Sequence, residues 1–121
     1  MDKRVLLIED EPNIIEALRF ILGRDGWKVD THSDGATALS AIETRNPNVI
    51  VLDVMLPNKS GYDILRDLRA HPDFGSVPVL MLTARGQSKD RELALQIGAT
   101  EFMTKPFSNG DVLAAIQSLA K

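Results

Sequence analysis

The segment VIVLDVMLPNKSGYDIL, residues 49–65, decides the fold of this 121-residue chain. Its first four residues, 49–52, are all apolar, which predicts a short strand buried on both faces, as in a parallel sheet. The strand ends at a carboxylate, Asp53, and a turn-rich stretch follows from Pro57 to Gly61. Apolar residues at helical spacing then predict a helix. The segment is therefore a strand, a loop and a helix, with a charged residue where the strand ends.

The same strand–helix unit occurs four more times along the chain. Short apolar or alternating runs predict the other strands at residues 5–8, 27–31, 77–82 and 102–104. Five alternating units predict a doubly wound α/β fold, a five-stranded parallel sheet with helices on both faces, because crossovers between parallel strands are right-handed. On the fourth helix, Leu93, Ala94 and Ile97 are predicted to face inward. Arg69 fits an ordinary helix face.

The composition limits what this chain can be. It is 44% apolar and 26% charged, as expected for one globular domain, which we assign to residues 1–121. A net charge of −3 gives no indication of binding to nucleic acid or to an anionic membrane. The absence of cysteine excludes disulfides, thiolate zinc sites and cysteine nucleophiles. The apolar runs are too short for a signal peptide or a membrane span, so we expect a cytoplasmic protein.

Polar residues stand at the ends of four predicted strands. The first strand is followed by Glu9 and Asp10, the third by Asp53, the fourth by Thr83 and the fifth by Lys105. The carboxyl ends of parallel strands meet at one edge of the sheet, where such folds gather their chemistry. We therefore expect these side chains to lie close together.

Taken singly, most of these residues have a simpler explanation. Asp10 could cap the first helix, Thr83 could cap the fourth, and Lys105 could be solvated. Asp53 has no obvious helix to cap.

Taken together, the carboxylates would repel one another, and a hard divalent cation would relieve that repulsion. Mg²⁺ prefers oxygen ligands, so the edge predicts a magnesium site beside an ammonium and a hydroxyl, an arrangement suited to phosphoryl transfer.

Four motifs carry a resemblance to a known family. They are LLIEDEP (6–12), VIVLDVMLPNKSGYDIL (49–65), VPVLMLTA (77–84) and GATEFMTKPF (98–107). In this order and spacing they resemble the receiver domains of response regulators in two-component signalling, and the resemblance extends over nearly the whole chain. One motif alone is weak evidence, but the joint match is specific. The resemblance implies a flavodoxin-like strand order, 2-1-3-4-5.

The resemblance implies a metal site built around the third strand. Asp53 matches the phosphoacceptor, which also binds the metal. Asp10 matches the direct metal ligand, and Glu9 matches the acidic neighbour that usually acts through water. The family more often has aspartate at the position of Glu9. Met55 is expected to offer its backbone carbonyl to the metal, so its side-chain type matters little for binding.

The remaining strand-end residues match positions that contact the phosphoryl group or respond to it. Thr83 matches the hydroxyl that bonds a phosphoryl oxygen, and Lys105 matches the lysine that pairs with another. The resemblance implies that the peptide bond before Pro106 is cis. Ala84 is small and should leave room for the phosphodonor. Phe102 matches the aromatic switch position.

The implied function is Mg²⁺-dependent transfer of a phosphoryl group to Asp53 from the phosphohistidine of a histidine kinase or a histidine phosphotransfer protein. Thr83 would then move toward the phosphoryl group and Phe102 would turn inward. The surface of the fourth helix, fifth strand and fifth helix would change, signalling to a downstream effector domain or protein, with a phosphorylation-dependent dimer as an option. We expect no direct contact with nucleic acid or membrane, and no multiple-turnover enzyme.

Two other functions stay open at this point. A small phosphatase with Asp53 as nucleophile would usually carry a second carboxylate two residues later, where this chain has Met55. A flavin-binding module would need a phosphate loop rich in Ser, Thr or Gly after the first strand. The loop there, residues 9–13, is acidic and would repel a phosphate unless a metal intervened.

Overall fold

Five parallel strands alternate with five helices in the computed structural model, which describes residues 3–84 and 88–120. The strands are β1 (Arg4–Ile8), β2 (Lys28–His32), β3 (Val49–Asp53), β4 (Val79–Thr83) and β5 (Glu101–Thr104). The helices are α1 (Pro12–Arg24), α2 (Ala38–Arg45), α3 (Gly61–Arg69), α4 (Ser88–Ile97) and α5 (Asn109–Leu119). The strand order is β2-β1-β3-β4-β5, which confirms the predicted doubly wound fold. Within the described ranges, none of the helices has the length and apolar character that a bilayer crossing requires.

The sheet has an apolar layer on each face, because side chains alternate along every strand. The layer against α2, α3 and α4 contains the strand residues Leu6, Ile8, Ile50, Leu52 and Met81. The layer against α1 and α5 receives Val5, Leu7, Val49, Val51 and Leu80. All of these side chains are at most 1% exposed. Burial on both faces explains why these strands are continuously apolar in the sequence.

The strand register brings the carboxyl ends of the strands level with one another. Ile8 pairs with Leu52 across β1 and β3, so Glu9 and Asp53 follow at the same height. The ends of β4 and β5 are also paired in register. The polar side chains predicted for the site therefore emerge at one edge of the sheet.

The fourth strand starts two residues later than its apolar pattern predicts. β4 begins at Val79, whereas the sequence prediction placed its start at residue 77. Pro78 has no backbone N–H and cannot donate to a strand ladder, so the ladder forms after it. The carbonyl of Pro78 still accepts a hydrogen bond from the backbone N–H of Ile50, at 3.0 Å.

The prediction that Leu93 faces inward is wrong. Leu93 is 38% exposed, whereas Ala94 is fully buried and Ile97 packs against the core. Successive residues on a helix are rotated by about 100°, so an inner stripe centred on Ala94 and Ile97 leaves Leu93 at its margin. Leu95 is also exposed, which leaves α4 with two large apolar side chains at its surface.

Two glycines allow the loop that follows β3 to pack closely against its neighbours. A Cβ on Gly61 would collide with the carbonyl oxygen of Asp53, and the Gly61 N–H donates to the carbonyl of Val54 at 2.9 Å. A Cβ on Gly35 would collide with the carbonyl oxygen of Lys59. Both colliding atoms belong to backbone, which cannot move aside as a flexible side chain can. The start of α3 is therefore seated directly on the peptide that carries Asp53.

We predict that Gly61→Ala destabilises the domain by about 1–3 kcal/mol, because the added methyl group overpacks rigid backbone. Urea denaturation measures the change. The matched control is Gly23→Ala on α1, where a Cβ would meet nothing within 4 Å. This control should be neutral or stabilising by up to about 1 kcal/mol, since alanine favours helix. Equal stability of Gly61→Ala and the native chain would contradict the collision.

Candidate metal and phosphoacceptor site

Three carboxylates converge at the edge of the sheet where the strands end. One oxygen each from Glu9, Asp10 and Asp53 lies within 4.8 Å of the others. Glu9 and Asp53 are buried, at 1% and 2% exposure, whereas Asp10 is exposed. The group therefore faces solvent on one side only. Oxygen ligands in this number and charge suit a hard divalent cation.

Backbone hydrogen bonds fix the orientation of Glu9. Its Oε2 atom accepts from the backbone N–H of Asp10 at 3.0 Å and of Glu11 at 3.2 Å. The N-cap position of α1 belongs to Glu11, whose side chain makes no capping hydrogen bond. The alternative in which Asp10 caps this helix is therefore wrong. Asp10 remains at the mouth of the site, with its carboxylate beside those of Glu9 and Asp53.

Lys105 contacts the same group of carboxylates from the end of β5. Its Nζ atom lies 3.1 Å from Oε1 of Glu9, 3.1 Å from Oε1 of Glu11 and 3.3 Å from Oδ1 of Asp53. The Lys105 side chain is only 13% exposed, so the alternative of a solvated lysine is wrong. The peptide bond that joins it to Pro106 is cis, as the sequence resemblance implied.

One ammonium does not satisfy this many buried oxygens. Oε1 of Glu9 and Oδ1 of Asp53 are buried and accept no well-aligned hydrogen bond from the part of the chain that is described. Both lie within ion-pair distance of the Lys105 ammonium. Buried carboxylate oxygens without donors are costly, and a bound cation would remove that cost. The residues present therefore fit a divalent metal ion.

The crowding of charge changes the acidity of two groups. Burial and the nearby charge of Asp53 raise the pKa of Glu9 from an ordinary 4.5 to about 7, against the opposing effects of Lys105 and the backbone N–H of Glu11. Burial lowers the pKa of Lys105, but its carboxylate neighbours outweigh burial and raise that pKa overall. Lys105 is therefore charged at neutral pH, while Glu9 holds its proton to a higher pH than an ordinary carboxyl does.

The structure places the other predicted residues around this centre without testing their roles. Thr83 is 4% exposed and ends β4, and its carbonyl accepts a hydrogen bond from the backbone N–H of Lys105 at 2.6 Å. Ala84 is exposed and, with Thr83 and Met55, lines a cleft of about 330 Å³. Met55 is 72% exposed, and because Mg²⁺ takes oxygen ligands rather than a thioether, a metal-binding role would fall to its backbone carbonyl.

Phe102 lies inside the protein. It is 7% exposed and belongs to the apolar layer against α2, α3 and α4. It pairs with Met81 in the strand register. The side chain thus occupies the inward position that the sequence analysis predicted for the phosphorylated domain. Its role as a switch stays a prediction.

Comparison with known proteins supports one family. Residues 5–117 match the model of the response regulator receiver domain. The chain belongs to the response regulator receiver family. It is 41% identical over 121 residues to the alkaline phosphatase synthesis transcriptional regulatory protein PhoP of Bacillus subtilis, covering 100% of this chain and 50% of PhoP. This receiver chain therefore spans about half the length of that relative.

Solved receiver domains have the same fold. The BeF₃-activated N-terminal receiver domain of Klebsiella pneumoniae RstA superposes with a TM-score of 0.90, at 26% identity and 98% coverage of both chains. The receiver domain of the Pseudomonas aeruginosa sensor histidine kinase PA1611 has a TM-score of 0.84 and 32% identity, covering 99% of this chain and 98% of that one. That structure has a magnesium ion coordinated in its active-site cleft. The matches give no support to the phosphatase alternative.

Sequence reasoning missed two charged residues. The sequence indicates Glu11 only as part of an acidic loop, although it is the third successive acidic residue before Pro12. Arg69 was assigned to an ordinary helix face, yet its guanidinium donates to the carbonyls of Val77 at 2.7 Å and Gly98 at 2.8 Å. It joins the end of α3 to the segments that precede β4 and β5, so its role is structural.

The raised pKa of Glu9 predicts that the metal-free domain loses stability as the pH rises from about 4.5 to about 7. In this window the folded carboxyl holds a proton that the unfolded chain has already released, so the free energy of unfolding falls with increasing pH. Urea denaturation in EDTA across this range measures the slope.

Glu9→Gln should flatten the stability profile in this window, because glutamine does not titrate. Glu16→Gln is the matched control, since it removes an exposed carboxyl from α1, and it should keep the native slope. If the native chain and Glu9→Gln gave the same profile, the assignment of this proton to Glu9 would be wrong.

Proposed function

We propose that this chain is a phosphoacceptor domain whose Asp53 receives a phosphoryl group from the phosphohistidine of a histidine kinase or a histidine phosphotransfer protein, in a reaction that requires Mg²⁺. One observation carries the proposal: the carboxylates of Glu9, Asp10 and Asp53 meet within 4.8 Å at one sheet edge, with the Lys105 ammonium in contact with Asp53. Membership of the receiver family supports the same role for Asp53.

In the proposed reaction, a carboxylate oxygen of Asp53 attacks the phosphorus atom. A P–O bond forms as the P–N bond to the donor imidazole breaks, and the imidazole takes up a proton as it leaves. The product is an aspartyl phosphate, a covalent intermediate of a familiar type. Lys105, already 3.3 Å from Oδ1 of Asp53, neutralises charge on a phosphoryl oxygen, and the Thr83 hydroxyl donates to another.

The residues that would hold Mg²⁺ are Glu9, Asp10 and Asp53 by their carboxylates and Met55 by its backbone carbonyl. When bound, the ion neutralises negative charge on the oxygens of the transferring group. Two features support this assignment. The buried oxygens of Glu9 and Asp53 lack aligned donors in the described chain, and a receiver domain of 32% identity has a magnesium ion in its active-site cleft.

The proposed output is a shift between two conformations of the face formed by α4, β5 and α5. Thr83 moves toward the phosphoryl group, and the apolar layer that contains Phe102 rearranges around it. Because Phe102 already lies inward, phosphorylation stabilises this position rather than bringing the ring from the surface. A few kcal/mol of differential interaction is enough for such a population shift.

The signal then passes to an effector domain or protein, and the same face could support a phosphorylation-dependent dimer. Slow hydrolysis of the aspartyl phosphate resets the domain, so it is not a multiple-turnover enzyme.

PhoP, of which this chain covers half, is described as a transcriptional regulator. The receiver assignment over residues 1–121, the cytoplasmic location and the absence of direct nucleic-acid or membrane contact remain predictions.

We predict that incubation with acetyl phosphate and Mg²⁺ adds one phosphoryl group to the chain, measured by intact mass. Asp53→Asn should abolish the gain, because the attacking carboxylate is gone, and so should omission of the metal. Asp73→Asn is the matched control, since Asp73 is exposed in the loop between α3 and β4, and it should still be phosphorylated. Labelling that persists in Asp53→Asn, or steady turnover of p-nitrophenyl phosphate, would overturn the proposal.

Lys105→Ala should still accept phosphate, at least in part, but should not pass the change on to the α4–β5–α5 face. The reason is that Asp53 and the other carboxylates remain, whereas the cation that couples the phosphoryl group to β5 is lost. Amide NMR shifts of α4, β5 and α5 before and after phosphorylation measure this. Native-sized shifts in the phosphorylated variant would show that Lys105 is not the coupling residue.

A further inference from the structure

Lys105 has a third carboxylate partner that the proposed chemistry does not use. Oε1 of Glu11 accepts a hydrogen bond from Lys105 Nζ at 3.1 Å, although the two residues are 94 positions apart. Glu11 stands at the N-cap position of α1 with an extended backbone, and its side chain does not cap the helix. Its carboxylate is directed toward the end of β5 instead.

Three carboxylate oxygens, one of them from Glu11, surround the ammonium. A lysine ammonium has three N–H groups, and Lys105 has carboxylate oxygens at 3.1, 3.1 and 3.3 Å. A phosphoryl oxygen on Asp53 would therefore compete with these carboxylates for the ammonium. The competition among these oxygens is set by how firmly each carboxylate is held.

The three partners differ in how easily they can be released. The Glu9 side chain is 1% exposed and is held by backbone N–H groups through its other oxygen. Asp53 is 2% exposed and carries the phosphoryl group itself. The Glu11 side chain is 58% exposed, so water can replace Lys105 at little cost. Glu11 is therefore the contact that a phosphoryl oxygen displaces.

We propose that Glu11 is a positioning residue that holds the Lys105 ammonium in the unphosphorylated domain and competes with the phosphoryl group on Asp53 for it. This inference rests on the proposed phosphoacceptor function. The competition weakens the hold of Lys105 on the phosphoryl group, so it slows phosphorylation and favours the unphosphorylated state.

The first test compares the native chain with Glu11→Gln at a Mg²⁺ concentration that saturates each variant. Two quantities are measured: the dissociation constant of beryllofluoride, a mimic of the phosphoryl group, and the rate of phosphorylation by acetyl phosphate. Glu11→Gln should bind beryllofluoride more tightly and react faster, each by about two- to fivefold, the size expected for an exposed ion pair. Glu16→Gln removes the same charge from an exposed position on α1 and should change neither quantity.

The second test asks whether Glu11 acts through Lys105. The phosphorylation rate is measured in Lys105→Met and in the double variant Lys105→Met with Glu11→Gln, after urea denaturation has confirmed that both fold. If the contact is responsible, Glu11→Gln has no effect once Lys105 is absent, because the two effects are coupled. A similar acceleration in the Lys105→Met background would mean that Glu11 acts only by its overall charge, and would overturn the inference.

The outcomes separate the inference from the function on which it rests. A native chain that takes up no phosphoryl group and binds no beryllofluoride with Mg²⁺ overturns the phosphoacceptor function and the inference with it. A native chain that does both, while Glu11→Gln behaves like Glu16→Gln, overturns the inference alone. Faster phosphorylation of Glu11→Gln that disappears in the Lys105→Met background supports it.

Discussion

The contact between the Lys105 ammonium and the carboxylates at the sheet edge is the constraint around which the site is built. Without Lys105, buried Glu9 and Asp53 would repel each other in a region that water hardly reaches. With it, the pocket still has more negative charge than positive, and burial together with the charge of Asp53 raises the pKa of Glu9 to about 7. The fold therefore leaves an excess of negative charge at this edge of the sheet. A bound divalent cation would relieve this excess.

Much of the fold and of the site could be predicted from the sequence, because both depend on local patterns. A strand buried on both faces must be apolar throughout, so a charged residue directly after it marks the strand end. The parallel register then places residues such as Glu9 and Asp53 side by side without further information. Five strands that alternate with five helices leave few ways to arrange the sheet.

The contacts that could not be predicted are those that long side chains make across the fold. Nothing in the sequence specifies that the Glu11 side chain contacts Lys105, or that the Arg69 side chain contacts the carbonyls of two loops. Flexible side chains have many rotamers, and only the folded neighbours decide among them. The error at Leu93 has a related origin, since the width of the buried stripe on α4 depends on how that helix lies over the sheet edge, which periodicity alone does not specify.

The loop between β3 and α3 is anchored at both of its sides. On one side, Gly61 packs directly against the Asp53 peptide. On the other, the side chain of Asn58 donates a hydrogen bond to the Asp34 carboxylate at 2.9 Å. The backbone N–H of Gly35 also donates to the carbonyl of Pro57 at 3.0 Å. Met55 lies within this anchored segment. Anchoring of that kind leaves the loop less conformational entropy to lose when a ligand binds beside it, so more of the free energy of the new contact is retained as affinity.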